Sequence, residues 1–201
     1  MVVGYNESKL LNSCFTSLSF CDEIIYTDLG SSDNSLEIAA SFTNKIYKRN
    51  KVPSGEYIQA EIGNYTINNW VIFIDPDETV DKILQQQIIN EFHKIIINPN
   101  IGSVTVPWLF YFKKYKLIGT IWGGNNKKCL LVNKNKFDFL PITHYGRKLR
   151  IGFSDHEILL NEWGTNLLHH YWMTSYSIFL KKHLLNYHSD IQQVFFGRRL
   201  P

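Results

Sequence analysis

Three carboxylates follow a run of apolar residues in the stretch WVIFIDPDETV, which spans residues 70–80. Asp75, Asp77 and Glu78 carry like charges that repel one another, and each loses favourable solvation when it leaves water. The arrangement is stable if a cation lies among the carboxylates. It is also stable on a solvated loop before a helix, where acidic side chains interact favourably with the helix dipole. The rest of the sequence is needed to choose between a cation site and a solvated loop.

Short apolar segments alternate with helical patterns in residues 1–100. The β-like segments are residues 2–5, 23–27, 45–48 and 70–75. The helical patterns between them include residues 56–68, where Gly63 weakens the pattern, and a further helix is expected after the fourth strand with Thr79 as its N-cap. Strands separated by helices indicate right-handed βαβ units and a parallel sheet.

The pattern changes near residue 100. Residues 103–114 and 127–133 predict longer strands in an antiparallel or mixed arrangement, and residues 175–196 predict an amphipathic helix. The sequence therefore predicts one α/β domain over residues 1–201, with a mostly parallel, Rossmann-like central sheet flanked by helices. A mixed-strand second half and a C-terminal helix complete it.

The composition is that of a globular protein kept in a reducing compartment. Of 201 residues, 44% are apolar, and the three cysteines are scattered without a CxxC pair. No apolar run approaches the about 18 residues that a membrane span needs. The first residues, MVVGYNES, lack the order of a signal peptide. We expect a cytoplasmic protein, with peripheral contact at the inner face of the membrane as an open alternative.

Charge is distributed unevenly about a net value of +3. Residues 1–100 hold 7 basic and 13 acidic residues, whereas residues 101–201 hold 14 and 5. Ten basic residues lie between Lys113 and Arg150, with Asp138 as the one acid among them. Such a stretch can attract nucleic acid, an anionic lipid or a phosphorylated substrate, or else it forms a solvated rim. We expect no nucleic acid partner.

Polar residues follow three of the first four predicted strands. They are Asn6 and Glu7, then Asp28, then the three carboxylates, and the turn after Asp28 is short and rich in Gly and Ser. Ligands of parallel sheets bind beyond the carboxyl ends of the strands. Asp75 and Asp77 flank Pro76 and can supply oxygen ligands to Mg²⁺ or Mn²⁺ beside the oxygens of a diphosphate. A cation with a diphosphate would therefore neutralise the acidic cluster.

Three segments in continuous order resemble the signatures of family 2 glycosyltransferases of the GT-A fold. They are VVGYNESKLLNSCFTSL, DEIIYTDLGSSDNSLEIA and NNWVIFIDPDE. The family comprises inverting, metal-dependent enzymes that use nucleotide sugars. The closer similarity is to the bacterial branch that builds lipopolysaccharide cores and related surface glycans. Its later motifs correspond to His156-Glu157, His170-Tyr171, Lys181, Lys182 and Tyr187.

The resemblance implies a donor site in residues 1–100 for a nucleotide sugar, with UDP expected. Asp28 would accept a hydrogen bond from the nucleobase, and Asp77 would bind a Mg²⁺ or Mn²⁺ ion that bridges the diphosphate. Asp75 would hold the ribose or join the metal ligands. Apart from the resemblance, His169 and His170 are neighbours on a predicted strand, where one of the two side chains normally faces the core. Such a histidine either supplies a metal or phosphate contact or belongs to the core, and His170 is our candidate for a further metal ligand. The full set of implied nucleotide contacts is Val3, Tyr5, Asn6, Glu7, Asp28, Ser31, Asn64, Asp75, Pro76 and Asp77.

Residues 101–201 would bind the acceptor, a glycan or lipid-linked glycan, and supply the general base. FSDHEIL offers Asp155 and Glu157, and we favour Glu157 for its place in the His-Glu pair. The chain departs from the family pattern at Gly63, where Arg is usual before the Asn. The additional residues ITHYGRKLRI make His144 a second candidate for the motif histidine.

Four further interpretations stay open at this point. Trp108 and Trp122 either stack on a sugar or belong to the core, and the basic, apolar C-terminal helix either packs on the sheet or lies on a membrane surface. A sugar-nucleotide nucleotidyltransferase would need a Gly-rich, Arg-containing loop after the first strand, which GYNESK is not. A non-catalytic relative that binds nucleotides or glycans is the alternative from another class.

Overall fold

The computed structural model describes residues 1–62, 65–118, 126–143, 146–177 and 180. Among these residues, the α-helices with defined bounds are α1 (Ser8–Ser17), α2 (Ser35–Ala40), α3 (Gly55–Gln59) and α4 (Lys82–Ile97), and Lys134–Lys136 form a 3₁₀ turn. Its strands are β1 (Val2–Gly4), β2 (Tyr26–Asp28), β3 (Ile46–Lys48), β4 (Trp70–Ile72), β5 (Glu78–Val80), β6 (Ile101–Phe112), β7 (Tyr115–Lys116), β8 (Lys127–Asn133), β9 (Phe137–Phe139), β10 (Arg147–Leu149), β11 (Ser154–Glu157) and β12 (Leu168–Met173).

The first strands form the parallel sheet that the alternating pattern predicts. β1 pairs in parallel with β2, and β2 pairs in parallel with β3. A parallel bridge between Val2 and Ile74 joins β1 to the chain that leaves β4. The carboxyl ends of β1, β2 and β4 therefore lie at one edge of the sheet, where the polar residues were expected to meet.

Strand β6 organises the second half of the sheet. It pairs antiparallel with β8, which pairs antiparallel with β4 and so connects the two halves. Along its other side β6 pairs in parallel first with β11 and then with β12, and β12 pairs antiparallel with β5. The mixed second half is confirmed, and so is the α/β, GT-A-like fold.

The sheet is apolar on both faces, which explains the unbroken run before the carboxylates. Ile72 and Ile74 pack on the side of α1, α2 and α4, whereas Val71 and Phe73 pack on the opposite side with Ile58 of α3. Strands covered on both faces read as continuous apolar runs because neither set of alternating side chains faces water.

Two predicted boundaries are wrong. Thr79 does not cap α4, since Glu78–Val80 is still extended and pairs with β12. Asp81 is the N-cap, and its carboxylate accepts a hydrogen bond from the amide of Leu84 at 2.7 Å. The helix expected over residues 56–68 ends at Gln59. The strand register, set by pairing across the sheet, overrides the local capping signal in the first case.

One carboxylate ties the starts of two helices together. Asp33 accepts hydrogen bonds from the amide of Ser8 at the start of α1 and from the amide and hydroxyl of Ser35 at the start of α2. Slight desolvation opposes ionisation, but the hydrogen bonds from Ser35 and Ser8 outweigh it and lower the pKa of Asp33 to about 2. The ionised side chain therefore stabilises the fold.

Replacement of Asp33 by Ala is expected to lower the free energy of unfolding by about 1–2 kcal/mol at neutral pH, because two helix starts lose their acceptor. The folded-state pKa lies below the usual value of about 3.9, so the contribution is present above about pH 4 and is lost as the pH falls towards 2. Urea denaturation across this range tests both points. The exposed Asp22, changed to Ala, is the matched control and should shift stability by less than about 0.5 kcal/mol. A constant deficit for Asp33→Ala at all pH values would contradict the capping role.

None of the helices in the described part of the chain combines the length and apolar character needed to cross a membrane.

Candidate functional site

The loops after β1 and β2 form one framework at the carboxyl edge of the sheet. The amide of Asn6 donates to the hydroxyl of Ser31 at 2.9 Å, and the amide of Ser32 donates to Oδ1 of Asn6 at 2.7 Å. Asn6 has a φ of 57°, a left-handed conformation that Asn tolerates better than most residues. Ser31, Asn6 and the exposed Tyr5, which follow these strands, are therefore brought together as the sequence predicts.

Asp28 orders the turn between these loops. Its side chain is only 1% exposed, and Oδ2 accepts the amides of Gly30 and Ser31 at 3.0 and 2.9 Å. The hydroxyl of Tyr26 donates to Oδ1 at 3.4 Å. The carboxylate thus shapes the turn beside Asn6, and its expected contact with a nucleobase stays a prediction.

A lysine that the sequence pattern did not single out forms ion pairs with two of the three clustered carboxylates. Nζ of Lys128, on β8, lies 2.9 Å from Oδ2 of Asp75 and 2.5 Å from Oε2 of Glu78. The amide of Asp75 also donates to Glu78 at 2.9 Å. Lys128 therefore reduces the repulsion among the three carboxylates without a bound cation. In the sequence, the one indication of this role was the position of Lys128 within the basic stretch.

Burial sets the ionisation of this cluster. Although burial alone favours the neutral amine, Asp75 and Glu78 raise the pKa of Lys128 above its ordinary value, so the lysine stays charged. Burial raises the pKa of Glu78, which is fully buried, with Lys128 opposing the shift and Asp75 adding to it. Lys128 is thus the group that makes a buried Glu78 tolerable.

Lys128→Met is expected to lower the free energy of unfolding by about 2–3 kcal/mol, since it leaves Glu78 buried without its cation. The value is set below the range for fully buried pairs because the Asp75 side chain is 59% exposed. Thermal and urea denaturation measure the loss. Lys127→Met, at the neighbouring exposed pair with Glu157, is the control and should cost about 0–1 kcal/mol. Equal losses in the two variants would argue against a special role for Lys128.

Asp77 faces a histidine from the second half of the chain. Nε2 of His170, on β12, lies 3.4 Å from Oδ2 of Asp77, and the amide of Tyr171 donates to the carbonyl of Asp77 at 2.7 Å. Trp108 of β6 stacks on the His170 ring, with centroids 5.1 Å apart and planes 4° apart. Backbone pairing and ring stacking together hold His170 against Asp77, while the neighbouring His169 is bound to Tyr111.

The Asp77–His170 pair fits a divalent cation as a partial ligand set. Adjacent ligands around a cation at about 2.1 Å lie about 3 Å apart, close to the separation observed. Nδ1 of His170 and Oε1 of Glu78 are both buried without a hydrogen-bond partner. Two polar atoms beside the pair can therefore still accept a contact from a ligand. No group of three or more His, Cys, Asp or Glu in the described ranges has the arrangement of a metal site. Further ligands would have to come from a bound donor.

The two candidate bases lie on β11 and have different neighbours. Asp155 accepts a hydrogen bond from the hydroxyl of Ser103. Glu157 lies 2.5 Å from Nζ of Lys127 and lines a cavity of about 390 Å³. Trp108 lines the same cavity, and its ring stacks on His170. Of the two candidate bases, Glu157 is in the lining of this cavity and Asp155 is not.

A larger cavity, of about 510 Å³, lies away from these residues. It opens at the amino ends of β1 and β4, next to Met1 and Trp70, with Phe92 of α4 in its wall. None of the candidate donor or base residues lines it.

Several residues named from the sequence lie outside the described ranges. They are Asn64, Trp122, His144, Lys181, Lys182 and Tyr187, and most of the expected C-terminal helix lies there as well. Val3 is half-buried in β1, and the Glu7 amide donates to the Ser35 hydroxyl at 2.9 Å. Pro76 lies above Gly4, whose small size leaves room for it. The assigned roles of these residues stay predictions.

Two solved structures illustrate the similarity of the chain to known folds, at low sequence identity. S. aureus TarS 1-349 is 16% identical, with a TM-score of 0.46, over 59% of this chain and 37% of that one. Glucosyl-3-phosphoglycerate synthase from Mycobacterium tuberculosis, in complex with Mg²⁺ and UDP, is 18% identical, with a TM-score of 0.43, over 54% of this chain and 42% of that one. The chain therefore spans less than half of either protein.

The family comparison covers far more of the chain. The sequence model described as "Glycosyl transferase family 2" matches residues 1–179 of the 201 residues. The match includes both the carboxyl edge of the first strands and the Asp77–His170 pair. The chain belongs to glycosyltransferase family 2.

Proposed function

We propose that the protein transfers a sugar, with inversion, from a nucleotide-sugar donor to a hydroxyl of a glycan. The observation that carries the proposal is the Asp77–His170 pair, next to the loops of Asn6 and Asp28 at one edge of the sheet. In an open α/β sheet this edge is where nucleotides bind. The proposed donor is UDP-linked, and the acceptor is a lipopolysaccharide-type or lipid-linked glycan of the cell surface.

The donor would lie along the loops after β1 and β2. The proposed contacts to base and ribose come from residues 3–7, from Asp28 and Ser31, and from Asn64. The close hydrogen bonding between Asn6 and Ser31 supports this proposal, because a preorganised loop loses little freedom on binding. Asp75 and Pro76 would lie beside the ribose.

Asp77 and His170 would hold a Mg²⁺ or Mn²⁺ ion, with Asp75 as a further candidate ligand. When bound, such an ion stabilises the negative charge that develops on the leaving diphosphate. Within the protein, Tyr171 fixes the backbone of Asp77, and Trp108 fixes the ring plane of His170. The two side chains are therefore held in place before the donor arrives.

Glu157 would remove the proton from the acceptor hydroxyl as the sugar is attacked, with Asp155 as the alternative. The cavity beside Glu157 supports the choice, since a base must lie within hydrogen-bond reach of the hydroxyl. Lys127 lies against the Glu157 carboxylate and holds its position.

A thermal-shift titration tests the donor proposal. UDP with Mn²⁺ is expected to stabilise the protein by about 2.7 kcal/mol at a hundredfold excess over its Kd. For a chain of this size that corresponds to a rise of roughly 5–11 °C in Tm. ADP, GDP and UMP with Mn²⁺ are the matched controls and should give smaller shifts. No shift with any nucleoside diphosphate would refute the proposal, and a larger shift with GDP would correct the nucleotide.

A further inference from the structure

A hairpin with an exposed tip projects from the second half of the sheet. β6 turns back into β7 at Lys113, whose φ is 53°, and Phe112 pairs with Tyr115. Residues 113–116 are all exposed, and Tyr115 keeps 63% of its surface. Ile118, just after the hairpin, is 72% exposed. Two large apolar side chains thus face solvent among lysines.

A second exposed loop follows β11. Trp163 is 78% exposed, and Leu159 and Leu160 are 69% and 54% exposed. The loop is nevertheless well held, because Asn161 accepts the amide of Thr165 at 2.9 Å and the side chain of Asn166 donates to the carbonyl of Leu159 at 2.8 Å. An ordered loop that presents a tryptophan to water is an unusual feature of a soluble surface.

The two exposed segments lie on one side of the molecule. Lys116, Ile118, Leu160 and Gly164, which follows Trp163, all line the same cavity of about 390 Å³. We name the combined surface the tip patch. It consists of Lys113, Lys114, Tyr115, Lys116, Ile118, Leu159, Leu160 and Trp163.

Lys113 lies over the ring of Tyr176 at 4.0 Å, and within the described ranges no lysine of the tip patch forms an ion pair with a carboxylate, unlike most of the basic stretch. Six of the ten basic residues between Lys113 and Arg150 bind carboxylates or backbone carbonyls of the fold. These are Lys127, Lys128, Lys134, Lys136, Arg147 and Arg150. In the patch, Lys114 and Lys116 lie beside apolar side chains, and the exposed Glu162 is the one nearby acid along the loop.

We propose that the tip patch docks the protein onto an anionic lipid bilayer. Tryptophan and tyrosine favour the headgroup level of a membrane, and aliphatic side chains such as Ile118 insert just below it. Lysines around them gain attraction to anionic headgroups while their stems lie on apolar surface. A bilayer matches both parts of the patch, the apolar tip and the positive rim. Docking in this way turns the Glu157 cavity towards the membrane surface.

Vesicle co-sedimentation of the full chain, without any glycan acceptor, tests the proposal. We expect binding to vesicles that mix phosphatidylglycerol with phosphatidylcholine, weak binding to phosphatidylcholine alone, and release at high salt. The double variant Lys114→Glu/Lys116→Glu should weaken binding by at least about 25-fold, and Trp163→Ser/Ile118→Ser by about tenfold or more. Glu162→Gln should strengthen it by about fivefold, since one repulsive charge is removed.

Matched controls use equally exposed residues elsewhere. Lys82→Glu/Lys94→Glu carries the same charge change on α4, and Ile67→Ser/Ile97→Ser removes apolar groups that are 85% and 78% exposed. The proposal is overturned if the patch and control variants lose vesicle binding equally, or if the wild-type protein does not bind anionic vesicles. It is also overturned if Trp163→Ser/Ile118→Ser abolishes self-association with no effect on vesicle binding, because the patch would then contact a second copy. Unchanged UDP binding and Tm in each variant confirm that it is folded, so a failure of vesicle binding leaves the proposed transferase function intact.

Discussion

Asp77→Asn is expected to lower the rate of sugar transfer by about 10²- to 10³-fold. The amide keeps the size of the side chain and loses the negative charge that, with His170, would hold a cation against the diphosphate. The backbone contact from Tyr171 to Asp77 does not involve the side chain, so the loop itself should keep its position. Release of UDP from a UDP-sugar, followed with and without Mn²⁺, measures the effect.

The exposed pair of Asp138 and Arg150 supplies the control for Asp77. Asp138→Asn makes the same chemical change on the surface and should leave the rate within a factor of about two. Full transfer by Asp77→Asn would remove the metal role from this residue. Absence of any turnover in the wild-type protein, together with normal UDP binding, would instead favour the non-catalytic relative.

Glu157→Gln is expected to reduce transfer by about 10²- to 10⁴-fold while UDP and Mn²⁺ still bind, because a general base acts on the acceptor alone. Asp155→Asn should be milder, since its carboxylate is engaged by the hydroxyl of Ser103. Rates at saturating donor, combined with thermal-shift measurement of UDP affinity, separate loss of chemistry from loss of binding.

The pair of variants is its own comparison, because both residues lie on β11 and the substitutions are alike. Should Asp155→Asn be the inactive variant, the two roles are exchanged. Should both variants transfer at the wild-type rate, the base lies in another element. A third variant, Lys127→Met, tests whether Lys127 only positions Glu157. In that case its loss should lower kcat modestly and leave donor affinity unchanged.

Local patterns were sufficient to predict most of the first half of the fold. The polar residues after β1, β2 and β4 meet at one edge, as parallel pairing requires, and the loops of Asn6 and Ser31 are bonded to each other. The cap at Thr79 was wrong because pairing of Glu78–Val80 with β12 depends on residues about 90 positions away. A local capping signal contains no information about such a partner.

The candidate site shows the same limit. His170 is one of two neighbouring histidines that the sequence offers as a ligand or as a core residue, and the structure brings it to Asp77. No periodicity or spacing connects Lys128 with Asp75 and Glu78, since the contact arises only where β8 lies beside β4. The stacking of Trp108 on His170 could not be predicted from the sequence either, because it depends on the parallel register of β6 and β12.

The ion pairs of Lys128 with Asp75 and Glu78 have a consequence for the order in which metal and nucleotide bind under the proposed function. Affinity for a hard cation rises with the number of uncompensated carboxylates around it. Because Lys128 offsets one unit of this charge, the cluster attracts a cation less strongly than three unpaired carboxylates would. The empty protein should therefore hold Mn²⁺ weakly, and the nucleotide should carry its own cation into the cleft. Donor affinity would then follow the cellular concentration of the metal–nucleotide complex, and free UDP would be a poor product inhibitor when divalent ions are scarce.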